Sequence, residues 1–184
     1  MKVNCKLTWG LLFGIVTLFT QCKDSGTAVE PDDENELITS VTLKFTEQGT
    51  TNVSSFSYKD ADGDGGNAPT KFDTISLKPN TTYSVAIELL DESKTPTDDI
   101  TKEVEEESDE HLFIYTPNPS SLLAYTYADK DKNGIKIGLV GSALTGAAGT
   151  GTLKVQLRHQ PGAKDGTNMP GSDDVNLDFI LEVE

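Results

Sequence analysis

The chain has 184 residues, with 30 Asp and Glu against 15 Lys and Arg, and a formal net charge of −15. This balance excludes nucleic-acid binding through phosphates, which needs clustered Lys and Arg, and gives a surface that attracts cations. The length is enough for one domain with a real hydrophobic core.

Lys2 and Lys6 precede an apolar run from Leu11 to Phe19. A basic start followed by a short apolar stretch is the pattern of an export signal. The run falls short of the roughly 20 apolar residues that cross a bilayer, and it lacks the polar face of a core helix. Cys22 closes the run. Residues 1–22 resemble a bacterial lipoprotein signal, although Gln21 stands where a small residue is usual. The resemblance implies that residues 1–21 are removed and that Cys22 becomes the lipidated first residue, which anchors the chain to a membrane. Cys5 leaves with the signal, so Cys22 has no partner for an internal disulfide.

Residues 22–36 are polar and acidic and read as a flexible tether. Acidic residues soon after a lipidated cysteine resemble the surface-export tag of Bacteroidota-type lipoproteins; Lys23 and Asp24 match it in part.

From residue 37 to 184 the pattern is that of a single domain with a period of two. Val41, Leu43 and Phe45 alternate with Thr42, Lys44 and Thr46, and similar alternation recurs over 83–89, 153–158 and 175–183. Weaker strands are predicted at 53–59, 72–77, 111–116, 122–128 and 135–140. Turn-forming stretches separate them: "KPNTT", "DKDKNG", "GAAGTG", "QPGAKDG" and "NMPGSDD". About nine short strands at this spacing predict an all-β fold, an antiparallel immunoglobulin-like β-sandwich, with a small barrel as the alternative. Residues 97–111 break the pattern. Asp98 or Asp99 can cap a short acidic helix there, with Ile100 and Val104 facing inward.

Two acidic loops are candidate calcium sites. Asp60, Asp62 and Asp64, and again Asp129, Asp131 and Asn133, place hard oxygen ligands at alternate positions ahead of a glycine. Neither loop has the Glu at position twelve that completes an EF-hand, and Asp73 could serve the first in a β context. The same residues also suit hairpin turns. A cation here would staple an exported chain that has no disulfide.

His111 and His159 are the only histidines. If residues 103–111 were helical, Glu103, Glu107 and His111 would share a face, and carboxylate with imidazole binds zinc or another transition metal. Two histidines could also ligate haem iron. The simpler reading makes them surface and turn residues. The chain lacks G-x-S-x-G, H-E-x-x-H and a phosphate loop with its Lys, so it is not expected to be an enzyme.

Several segments together resemble an uncharacterised family of Bacteroidota-type lipoproteins: "DGDGGNAP" at 62–69, "PNTTY" at 79–83, "EEESDEHLFIY" at 105–115, "DKNGIKIGL" at 131–139 and "GAAGTGTLKVQLRHQPGAKDG" at 146–166. Some members are labelled as type 1 periplasmic-binding folds. That fold is two-lobed α/β, whereas this chain is shorter and strand-rich. Such lipoproteins often accompany outer-membrane uptake receptors. The resemblance therefore implies a lipid-anchored outer-membrane binding lipoprotein, on the cell-surface or periplasmic face, that serves a receptor protein in nutrient capture; the anchor, the acidic surface and the two histidines point to a metal ion or metal complex as its ligand. The alternative is a structural or adhesive surface module whose loops are stapled by calcium and which carries no ligand.

Overall fold

The computed structural model describes residues 37–62 and 66–184. The expected signal and tether, Cys22 with them, lie outside the described residues, as does Asp64.

The described residues form ten strands and one helix. These are β1 (Ser40–Glu47), β2 (Val53–Lys59), β3 (Lys71–Phe72), β4 (Ile75–Leu77), β5 (Thr82–Leu90), α1 (Ile100–Glu106), β6 (His111–Asn118), β7 (Leu123–Tyr127), β8 (Val140–Thr145), β9 (Gly149–His159) and β10 (Ser172–Val183). They make two sheets, one of six strands in the order β3-β2-β1-β5-β8-β7 and one of four in the order β4-β10-β9-β6. All pairings are antiparallel except β10 with β4. The result is the β-sandwich with one short acidic helix that the sequence predicts.

Alternation explains the sandwich. Val41, Leu43 and Phe45 of β1 and Tyr83, Val85, Ile87 and Leu89 of β5 are buried on one inner face. Phe113 and Tyr115 of β6, Leu153, Val155 and Leu157 of β9, and Phe179, Leu181 and Val183 of β10 are buried on the other. Strand pairing holds the register, because a slip of one residue would turn each set outward.

Helix α1 buries Ile100 and Val104. Thr101 docks it: its hydroxyl donates to the Leu89 carbonyl (3.2 Å) and accepts from the Leu89 N–H (2.9 Å). Asp99 occupies the N-cap position but makes no side-chain capping bond; its carboxylate pairs instead with Lys102 at 2.8 Å. The helix ends at Glu106, so Glu103, Glu107 and His111 do not share a helical face. His111 instead begins β6, where the chain is extended.

Two further expectations need correction. The strand expected at 72–77 divides between the sheets: β3 pairs with β2, and β4 crosses to β10. Ile75 and Leu77 are buried while Lys71 and Phe72 are exposed, so only the second half follows the core. The strand expected at 135–140 is an irregular crossing. Phe113 N–H donates to the Ile137 carbonyl (2.7 Å) and Ile87 N–H to the Leu139 carbonyl (3.0 Å), one bond to each sheet. Gly138 makes the crossing with φ +97°, and a Cβ there would stand 2.8 Å from Phe113 Cβ. The real strand, β8, starts at Val140. Its Gly-Ser-Ala content is a poor strand signal, overridden by its place between β5 and β7.

Candidate functional site

The pairing of β6 with β9 sets His111 directly opposite His159. His111 shares the inward face with Phe113 and Tyr115, and His159 continues the row Leu153, Val155, Leu157. Both imidazoles therefore sit at the end of the core, with rings stacked at 4.8 Å between centroids and 6° between planes.

The third member comes from β10. The β9–β10 register shifts between Asp173 and Val175, leaving Asp174 as the extra residue of a bulge. A bulge re-aims one side chain, and here it buries a carboxylate. The side chains of His111 and Asp174 are each 3% exposed, with His111 Nε2 3.7 Å from Asp174 Oδ2. One donor atom from each of His111, His159 and Asp174 lies within 4.8 Å of the others. Asp174 also borders a cleft of about 320 Å³ lined by Ile38, Val41, Tyr58 and Leu177.

The electrostatics of the trio are unusual. His111 Nδ1 lies 3.2 Å from the Glu107 carbonyl oxygen. A carbonyl only accepts, so Nδ1 carries the proton and Nε2 presents a lone pair. Burial lowers the His111 pKa to about 4, against a smaller opposing effect of the Glu107 carbonyl. Burial raises the Asp174 carboxyl to about 6, against the opposing pull of His159 and Arg158. Asp174 Oδ1 is buried without a hydrogen-bond partner. At neutral pH a lone pair and a carboxylate thus face each other at the edge of this cleft, an arrangement that suits a cation between them.

The two titrations act in opposite directions on stability. His111 is depressed when folded, so the unfolded chain binds more protons between pH 4 and 6.5, and stability falls as pH drops through that window. Asp174 is raised when folded, so its burial costs stability as pH climbs from about 4 to 6. They offset each other in the intact protein. In Asp174→Asn that offset is gone, so metal-free denaturation curves are expected to lose about 3 kcal/mol more between pH 7 and pH 4 than those of the double variant Asp174→Asn/His111→Gln, in which the other carboxylates titrate alike. An equal loss in the two would contradict the burial of a neutral His111.

A brace holds β9 and β10 together behind the trio. Arg158 Nη1 donates to Asp173 Oδ1 (2.6 Å), and Nη2 donates to the carbonyls of Pro170 (2.9 Å) and Gly171. Gly171 has φ +76°, and a Cβ there would collide with the His159 carbonyl. Gly171→Ala is expected to cost about 2 kcal/mol, read as a lower melting temperature, and to shift His159.

The remaining predicted residues lie elsewhere. Glu107 contributes its backbone carbonyl to His111, not its carboxylate. Asp60 is buried and accepts from the Tyr58 hydroxyl at 3.0 Å. Asp62 accepts from the backbone and side-chain N–H groups of Asn67, both at 2.9 Å, and these bonds together with Asp60 hold its carboxyl below the usual range. Asp73 accepts from Ser57 N–H at 2.8 Å and pairs with Lys71 at 2.8 Å. Asp129 accepts from the N–H groups of Gly138 (2.8 Å) and Val140 (3.0 Å). Asp131 Oδ1 accepts from the N–H groups of Asn133 (2.8 Å) and Ile135 (2.9 Å), while Oδ2 pairs with Lys164 Nζ at 2.9 Å. Asn133 thus serves the second loop through its backbone. Each of these described carboxylates closes a loop with donors of the protein's own.

No protein-family model, curated protein or solved structure matches this chain. The trio is therefore read on its geometry alone. Sequence reasoning reached both histidines and missed Asp174, one acid among 30. The sequence carries no mark of the bulge: Val175, Leu177 and Phe179 alternate regularly, and the two acids before them, Asp173 and Asp174, read as the end of a turn.

Proposed function

We propose that this chain is a lipid-anchored outer-membrane binding protein that captures a transition-metal ion of the zinc class at His111, His159 and Asp174 and passes it to a receptor protein. The observation that carries the reading is the buried lone pair of His111 Nε2 facing the Asp174 carboxylate, with Oδ1 unpartnered. Imidazole nitrogen and carboxylate oxygen are the donors that zinc and its neighbours take. The Glu107 carbonyl fixes the His111 tautomer, as an outer-sphere partner does for a metal-bound histidine. The anchor rests on the pattern of Lys2, Lys6, the apolar run and Cys22, and the acidic surface would draw cations toward the site.

The test is a competition titration of the full chain in detergent against a chromophoric zinc chelator. One zinc per chain is expected, with binding lost in His159→Ala. Zinc uptake that is equal in wild type and His159→Ala would sink the reading.

A further inference from the structure

Three protein ligands leave a tetrahedral ion one position short. That position takes water, or a small molecule carried in with the ion, unless a fourth side chain closes it. Glu110 is placed to decide this. It directly precedes His111, and its Oε2 lies 3.8 Å from His159 Nε2. Its backbone is fixed, because the Gln160 N–H donates to its carbonyl at 2.6 Å. Its side chain is 38% exposed, so the carboxylate is free to turn without breaking the core.

The two short approaches form a chain of donors. Asp174 Oδ2 stands 3.7 Å from His111 Nε2, the two imidazoles stack, and Glu110 Oε2 stands 3.8 Å from His159 Nε2. Around a zinc ion with bonds of about 2.1 Å, tetrahedral donors are about 3.4 Å apart. The approaches of 3.7 and 3.8 Å are close to that spacing, but closing the sphere also requires the 4.8 Å spread of the trio to contract by about 1 Å or more, the parallel imidazoles to turn so that their in-plane lone pairs converge, and the Glu110 carboxylate to swing past His159 toward the other two. The parallel rings, 4.8 Å apart, leave no slot for a flat macrocycle between them.

We infer that Glu110 is the fourth ligand: its carboxylate swings onto the ion held by His111, His159 and Asp174 and closes the coordination sphere. The cargo is then a bare divalent ion, not a chelate or haem. This inference rests on the metal reading of the trio.

The test uses the full chain in detergent, as wild type and as Glu110→Gln. A thermal melt without metal confirms that the exposed substitution leaves the fold intact. In the zinc competition titration, Glu110→Gln is expected to keep one zinc per chain with affinity at least tenfold weaker. With cobalt(II) in place of zinc, azide is expected to leave the visible spectrum of wild type unchanged and to alter that of Glu110→Gln, whose fourth position is open. Equal zinc affinity in the two proteins, or an azide-sensitive spectrum in wild type, would overturn the role of Glu110 and leave the trio standing. Wild type that takes up no zinc would overturn the trio and this inference together.

Discussion

Zinc at 100 times its dissociation constant is expected to raise the melting temperature of the full chain by about 5–10 °C, and Asp174→Asn to remove most of that rise. A ligand at 100 times its dissociation constant that binds only the folded state stabilises it by about 2.7 kcal/mol. In a domain of this size each kcal/mol moves the midpoint by about 2–4 °C. The His111, His159 and Asp174 donors come from three strands distant in sequence, so the unfolded chain holds no comparable site and the full linkage applies. Asp174→Asn keeps the shape of the side chain and removes a buried charge. It should melt no lower than wild type without metal, which separates loss of the ion from loss of the fold. An unchanged rise in Asp174→Asn would show that zinc binds elsewhere.

Lys164→Ala is expected to cost about 3–5 kcal/mol, the range for breaking a buried ion pair by removing one partner. The Lys164 and Asp131 side chains are 2% and 0% exposed and meet at 2.9 Å. Burial pushes the Asp131 carboxyl up, and Lys164 with the N–H groups of Ile135 and Asn133 outweighs it and holds the carboxyl below the usual range. Lys164 Nζ also donates to the Ser108 carbonyl at 2.7 Å. One ammonium therefore ties the β9–β10 loop to the turn after α1 and to the loop before β8. Its removal leaves a carboxylate buried with backbone donors alone. Lys44→Ala is the control: Lys44 pairs with Glu88 at 3.0 Å, but both side chains are 41% exposed, and such pairs are worth about 0–1 kcal/mol. Urea midpoints of the two variants test the contrast. Equal midpoints would mean that burial of the Lys164–Asp131 pair carries no special weight.

The Lys164–Asp131 pair also shows where the sequence was legible and where it was not. Asp131 was visible as part of an acidic, calcium-like loop. Its Oδ2 pairs with a lysine 33 positions away, and no local pattern encodes that distance. Strands β1, β5, β9 and β10 were legible because each keeps one buried face, which enforces a period of two. The helix was legible through Ile100 and Val104, spaced one turn apart. Strand β8 was hidden because its neighbours, not its own side chains, make it a strand. The crossing at 135–139 mimicked a strand because Ile137 and Leu139 are both buried, though in bonds to different sheets. The site divides the same way. Two histidines in a chain are easy to single out, but their meeting depends on the β6–β9 register, and Asp174 depends on a bulge.

The central claim is that one metal ion sits among His111, His159 and Asp174. The most direct measurement is anomalous diffraction at the zinc edge from crystals of the zinc-loaded full-length protein. One peak is expected, within about 2.0–2.2 Å of nitrogen atoms of His111 and His159 and an oxygen of Asp174. A peak at the Asp60–Asp62 or Asp129–Asp131 loop instead, or no peak at the trio at saturating zinc, would contradict it.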